Sequence, residues 1–135
     1  MHLAEEKPLT AAAIMSRGMP MPPRVALIAC ASGGDYRFDE ATGLVAAMVL
    51  CGAQLVTATL WSLPTTAGYR RFTGDTTDPM GELVVAVDLA HGDDRAGHAV
   101  NEWQRERLRC RRSGDPTASP VYWAALASFA VDGAR

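Results

Sequence analysis

What this chain has little of narrows it first. Three cysteines, Cys30, Cys51 and Cys110, are an odd number at wide spacing, which makes a poor disulfide framework and a poor zinc pattern. Such usage fits a reducing compartment, so the expected location is the cytoplasm. Histidine is equally scarce: His2, His91 and His98 are the only imidazoles available as a general base. No run of about 18 apolar residues occurs, so no membrane span is expected. The chain does not open on a basic region followed by an apolar stretch, so no signal peptide is expected. Neither sign of charge dominates, since 13 basic and 15 acidic side chains leave a formal net charge of -2. That balance gives no reason to expect a nucleic-acid partner. The one basic cluster, Arg105, Arg107, Arg109, Arg111 and Arg112, reads as the solvated face of a helix. Internal repeats and low-complexity tracts are missing too.

What remains is ordinary globular material. The 135 residues fit a single domain, with 48% hydrophobic and 21% charged residues. Thr10 is placed to cap a short helix through Arg17, which Gly18 ends. Pro20, Pro22 and Pro23 form a stiff connector, so residues 1–23 read as an N-terminal extension. The main domain then occupies residues 24–135. It opens with a continuous apolar run from Arg24 to Cys30, the pattern of a strand buried on both faces in a parallel sheet. A helix is expected from Asp39 to about Cys51, and a β-branched strand from Gln54 to Trp61. Pro64 breaks the chain. Asp78 and Pro79 open a helix ending near His91 and Gly92, and a longer helix spans Ala96 to Arg112. The segment from Pro120 to Val131 reads as a last strand. Alternating strands and helices predict an α/β fold, with a partial parallel sheet flanked by helices. A sheet of so few strands leaves both edges open.

Cys30 lies where the first strand gives way to a small, glycine-rich loop, Ala31, Ser32, Gly33 and Gly34. In open parallel sheets the functional crevice forms at the carboxyl ends of the strands. Successive N–H groups of such a loop can face an oxyanion, and their dipoles favour a thiolate. On position alone Cys30 fits a nucleophile and a buried structural thiol alike. Gly33 and Gly34 allow a substrate backbone to come close, and Asp35 and Asp39 are placed to bind a basic group or to serve as turn and helix-start residues. Cys51 reads as core, and Cys110 as a thiol among arginines on a helix. His91 is expected at a helix end, where a cationic imidazole suits the dipole. Tyr122 and Trp123 are expected to pack the last strand against helices.

Three stretches in order resemble the CHAT family, a caspase-like cysteine peptidase fold. They are ALIACASGG (Ala26 to Gly34), CGAQLVTATLWSLPTT (Cys51 to Thr66) and SPVYWAALASFAVDG (Ser119 to Gly133). The resemblance covers the chain from about Leu9 and implies a three-layer sandwich with a Cys–His dyad. Carried over by motif, Cys30 is the nucleophile, and no metal or cofactor is called for. The family histidine sits in a His-Gly pair at the end of the preceding strand. No His-Gly pair lies upstream of Cys30, and His91-Gly92 lies downstream, at a helix end. The resemblance therefore implies the carboxy-terminal, nucleophile-bearing part of a CHAT domain, inactive alone. The alternative is a non-enzymatic interaction module that keeps the fold. The implied partners are a protein or peptide, or the missing N-terminal part of the same domain. Members often stand beside sensing repeats in bacteria, which implies a regulated peptidase.

Overall fold

The computed structural model describes residues 9–29 and 38–131. The chain order is α1 (Ala11–Arg17), β1 (Arg24–Leu27), α2 (Phe38–Leu50), β2 (Leu55–Thr59), α3 (Thr66–Thr73), α4 (Pro79–His91), α5 (Ala96–Arg112), α6 (Pro120–Trp123) and β3 (Leu126–Ala130). The three strands form one sheet in the order β1-β2-β3. β1 and β2 are parallel, with Arg24 opposite Leu55 and Leu27 opposite Ala58. β3 is antiparallel to β2, with Leu126 opposite Thr59 and Ala130 opposite Leu55.

Three layers follow from the alternation along β2. Val56 and Ala58 face a first core built with Ile14 of α1 and Leu44, Val45 and Met48 of α2. The opposite face carries Leu55, Thr57 and Thr59, and lies beneath α4 and α5. There Leu63, Leu83, Val87, Val100, Tyr122 and Leu126 make a second core. Every residue of β2 is buried, so the strand covered on both sides is β2. β1 was expected to have that character, but only Leu27 is buried, Arg24 and Val25 are partly covered, and Ala26 is exposed. The reason is position: β1 stands at the edge of the sheet among the described residues.

The helices begin and end on the expected chemistry. Thr10 Oγ1 accepts the N–H of Ala13 at 3.1 Å, and Gly18 closes α1 with a φ of 57°. At α4, Asp78 accepts the N–H of Gly81 at 3.0 Å with Pro79 in the first turn. α5 runs from Ala96 to Arg112 as expected. α3 was not expected: Thr65 accepts the N–H of Gly68 at 3.1 Å and so starts a helix just after the break at Pro64.

Two expectations are corrected. The sheet is mixed, because α4 runs from the carboxyl edge of β2 to its amino edge and α5 runs back. The chain therefore enters β3 at the carboxyl edge and must descend antiparallel to β2. The closing segment is also not one strand: Pro120–Trp123 is a helical turn, and only Leu126–Ala130 joins the ladder. Pro120 has no N–H to give a ladder, and the turn lets the Tyr122 hydroxyl donate to Pro64 O at 3.2 Å. Tyr122 also meets Tyr69 edge to face, with ring centroids 5.7 Å apart.

Two substitutions on α4 separate its faces. Leu83 is fully buried and Leu89 is 70% exposed. Leu83→Ala is expected to cost about 2–5 kcal/mol in urea unfolding, and Leu89→Ala less than about 0.5 kcal/mol.

Candidate active site

The crevice implied by a parallel pair lies beyond the carboxyl ends of β1 and β2. β1 leaves the ladder after Leu27, and the chain then continues through Ile28 and Ala29 under close control. Ala29 N–H donates to Thr59 Oγ1 at 3.1 Å, and Ala29 O accepts from Leu63 N–H at 2.9 Å. Thr59 Oγ1 also donates to Leu27 O at 3.5 Å. A buried threonine thus replaces the missing ladder bond at the N–H of the residue before Cys30, and Leu63, beyond the end of β2, holds its carbonyl. On the other side of the edge, Leu60 N–H donates to Ala125 O at 2.8 Å, and Trp61 Nε1 donates to Val121 O at 2.9 Å. The Trp61 ring stays 39% exposed. The rim is therefore rigid, tied to β2, α6 and the loop before α3.

Cys30, Gly33, Gly34 and Asp35 lie outside the described residues, as does His2, and the side chain of Asp39 is likewise not described. The two described histidines are not on this rim. His98 is exposed on the first turns of α5, with Nε2 3.2 Å from Glu102 Oε1. Its neighbour Gly97 packs against Leu55, at the amino end of β2.

His91 sits at the end of α4 but is no free cationic cap. Its Nε2 lies 2.9 Å from Thr57 Oγ1, which lies 3.2 Å from Ser128 Oγ. Burial is the main cause that pushes its pKa below the usual imidazole value; the nearby Arg24 adds to this, and Asp88 opposes it. The cation at this helix end is Arg24 of β1, whose guanidinium donates to His91 O at 2.5 Å, Asp93 O at 2.6 Å and Asp94 O at 3.3 Å. The sequence reading took Thr57 and Thr59 only as β-branched strand residues. Their signal was legible: two hydroxyls at alternate positions of a buried strand must face the same layer and find partners there.

The thiols away from the loop are unremarkable. Cys51 is half-buried against the first core, its Sγ 3.9 Å from Ile14 O. Cys110 is half-buried, its Sγ 3.8 Å from Glu106 Oε1. No helix among the described residues is long and apolar enough to cross a membrane.

The fold defines an α/β domain with a parallel strand pair whose carboxyl ends are tied together by Thr59 and Leu63. The family model described as CHAT domain matches residues 1–134, and the chain belongs to that family. The membership relates it to caspase-like, peptidase-related domains. No curated protein and no solved structure matches the chain.

Thr59→Val keeps the shape of the side chain and strands the Ala29 N–H. A loss of about 1–3 kcal/mol in chemical unfolding is expected, with faster hydrogen exchange at Ala29. The His91 shift fixes a pH response as well. The unfolded chain takes up a proton near 6.5 and the folded one only at lower pH. The contribution is therefore fully present above about 6.5 and declines as pH falls below it, where the unfolded state binds more protons. Thermal melts of wild type and His91→Gln across that window should differ in slope, the variant losing less on acidification.

Proposed function

We propose that this chain carries the nucleophile half of a CHAT cysteine peptidase site, with Cys30 as nucleophile and the base supplied by a strand ending in His-Gly, a pair that does not occur upstream of Cys30 in this sequence. The observation that carries the reading is the double tether on Ala29. A nucleophile must be delivered at a fixed point, and Thr59 and Leu63 fix the residue immediately before Cys30 at the crevice edge. Membership of the CHAT family and the order of its three motifs support the same assignment.

With histidine in place, Cys30 Sγ attacks a peptide carbonyl and its proton passes to the imidazole. The imidazolium then protonates the leaving amine, and water hydrolyses the thioester. Gly33 and Gly34 leave room for the substrate backbone, and Asp35 is placed to meet a basic side chain. A thiol of ordinary pKa, about 8.5, is only about 3% thiolate at pH 7. Without that histidine, Cys30 is expected to be alkylated slowly.

A second reading is a module that binds protein segments without chemistry. The outer edge of β1, unpaired among the described residues, favours it, since such an edge is a template for another strand.

Iodoacetamide alkylation of Cys30 at pH 7, resolved from Cys51 and Cys110 by mass spectrometry, separates the two. A hydrophobic segment ending in His-Gly, fused ahead of Met1 or supplied as a peptide, should raise the Cys30 rate about tenfold or more, up to a ceiling near thirtyfold. The rise should vanish when that histidine is replaced. An unchanged rate overturns the peptidase reading.

A further inference from the structure

The basic residues of α5 collect beyond the carboxyl edge of the sheet. Gly97, near the start of the helix, packs against Leu55, at the amino end of β2. Gln104, two turns on, donates from Nε2 to Trp123 O at 2.8 Å and Leu126 O at 3.0 Å. Leu126 pairs with Thr59, at the carboxyl end of β2. α5 therefore reaches the carboxyl edge at Gln104 and continues past it to Arg112, an overhang of about 12 Å at 1.5 Å per residue. The overhang carries Arg105, Arg107, Arg109, Arg111 and Arg112 against a single acid, Glu106.

Only part of that charge is answered. Arg107 lies 3.7 Å from Glu82 of α4, and Arg109 pairs with Glu106. Other acids at this end are committed to local hydrogen bonds. Asp78 accepts from Thr66 Oγ1 at 2.6 Å and from the N–H of Gly81 at 3.0 Å. Asp115 accepts the N–H and the hydroxyl of Thr117 at 2.8 and 2.6 Å. Arg105, Arg111 and Arg112 are exposed, and no ion pair among the described residues takes them. Cations in the last turn complement the helix dipole, which accounts for Arg111 and Arg112. Arg105 lies two turns from the end, too far back for that role. It shares a face with Arg109 and Arg112 in an i, i+4, i+7 row, so guanidiniums line about 10 Å of solvent-facing helix.

The overhang adjoins the rim through α6. Val121 O accepts from Trp61 Nε1 at 2.9 Å, and Trp123 O from Gln104. A continuous path of fixed backbone thus runs from Ala29, across the end of β2 and Trp61, to the arginine row. We propose that this row docks an acidic segment of a protein partner, and that the partner chain continues from it over Trp61 into the crevice. That the segment belongs to the substrate rests on the peptidase reading above. Guanidiniums take carboxylates in a planar, bidentate fit, and a short run of aspartates or glutamates in extended form matches the length of the row. The contact lies several residues from the bond to be cut and leaves the residue at that bond to Asp35. Nucleic acid fits less well, because it needs a longer track of cations and the chain as a whole carries a net charge of -2.

The test is fluorescence anisotropy of the full chain with a labelled peptide, a run of glutamates joined to a neutral tail, at about 50 mM salt. Saturable binding is expected, and it should fade at about 0.5 M salt, where exposed charges are screened. Arg105→Glu combined with Arg112→Glu should weaken binding about tenfold or more. Arg105→Gln with Arg112→Gln should weaken it less and keeps the test decisive if charge reversal disturbs the fold. Arg17→Glu, exposed on α1 in the other helical layer, should change nothing. Bound peptide should also slow iodoacetamide alkylation of Cys30, because its neutral tail crosses the rim. No saturable binding, or binding that the Arg105 and Arg112 variants match, overturns the docking site. An oligonucleotide of equal charge that binds more tightly, and is lost in the same variants, gives the row to nucleic acid and overturns it too. Bound peptide that leaves Cys30 unprotected overturns the path into the crevice. Failure of a His-Gly segment to speed Cys30 alkylation removes the peptidase reading alone, since peptide binding and its loss in the variants do not depend on it.

Discussion

A hydroxyl buried in the middle of a sheet must be given a partner, and β2 carries two of them. Thr57 and Thr59 are both fully buried on the face that α4 and α5 cover. Leaving either unbonded would cost about 1–3 kcal/mol, so their surroundings are arranged around them. Thr59 turns outward to β1 and substitutes for a ladder bond at Ala29. Thr57 turns to His91 and Ser128 and ties α4 to the sheet. One strand thereby sets the exit path of β1 at one end of the crevice and the seating of α4 further along. Hydrophobic burial assembles the layers, but it does not specify where β1 must stop. The threonine does.

The same arrangement explains why His91 is not available as the base. Its ring is engaged by a β2 hydroxyl, and its backbone carbonyl by a guanidinium. Burial favours the neutral imidazole. All of this happens toward the amino side of the sheet, while the crevice opens at the carboxyl side. The helix that carries His91 is long enough to span the sheet, and it delivers the histidine to the wrong end. A His-Gly pair read off the sequence thus stands away from the carboxyl end of β1 in the fold, as well as downstream of Cys30 in the chain.

Much of this architecture was legible in the residues. Thr10, Asp78 and Pro79 marked helix starts by capping chemistry, which is local, and the ends at Arg17, His91 and Arg112 followed. β2 was legible from its β-branched run. What escaped was non-local. The apolar run of β1 resembled a central strand because composition does not reveal which neighbours a strand will have. The direction of β3 depended on two helices crossing the sheet in opposite senses, information held in tertiary packing. α3 was hidden behind Pro64, although Thr65 and Gly74 bracket it with ordinary cap residues. Of the site, the strand that leads toward Cys30 was readable, while the tether that follows its end was not, because Thr59 and Ala29 are far apart in sequence. The described residues contain the tether and the rim; the glycine loop and Asp35 lie outside them.

Arg24 has a consequence for how the sequence is free to vary. Its guanidinium binds three main-chain carbonyls, those of His91, Asp93 and Asp94. Main-chain acceptors are supplied by any residue type. The side chains of Asp93 and Asp94 can therefore change without removing these acceptors, whereas Arg24 at the start of β1 cannot; His91 keeps its own tie, through its ring, to Thr57 of β2. A lysine there would offer a point charge in place of a planar fork and could not span three acceptors with the same geometry. Mutational tolerance at this junction is lopsided: the constraint falls on one strand residue, Arg24, while the two acceptors beyond the helix end are left chemically anonymous.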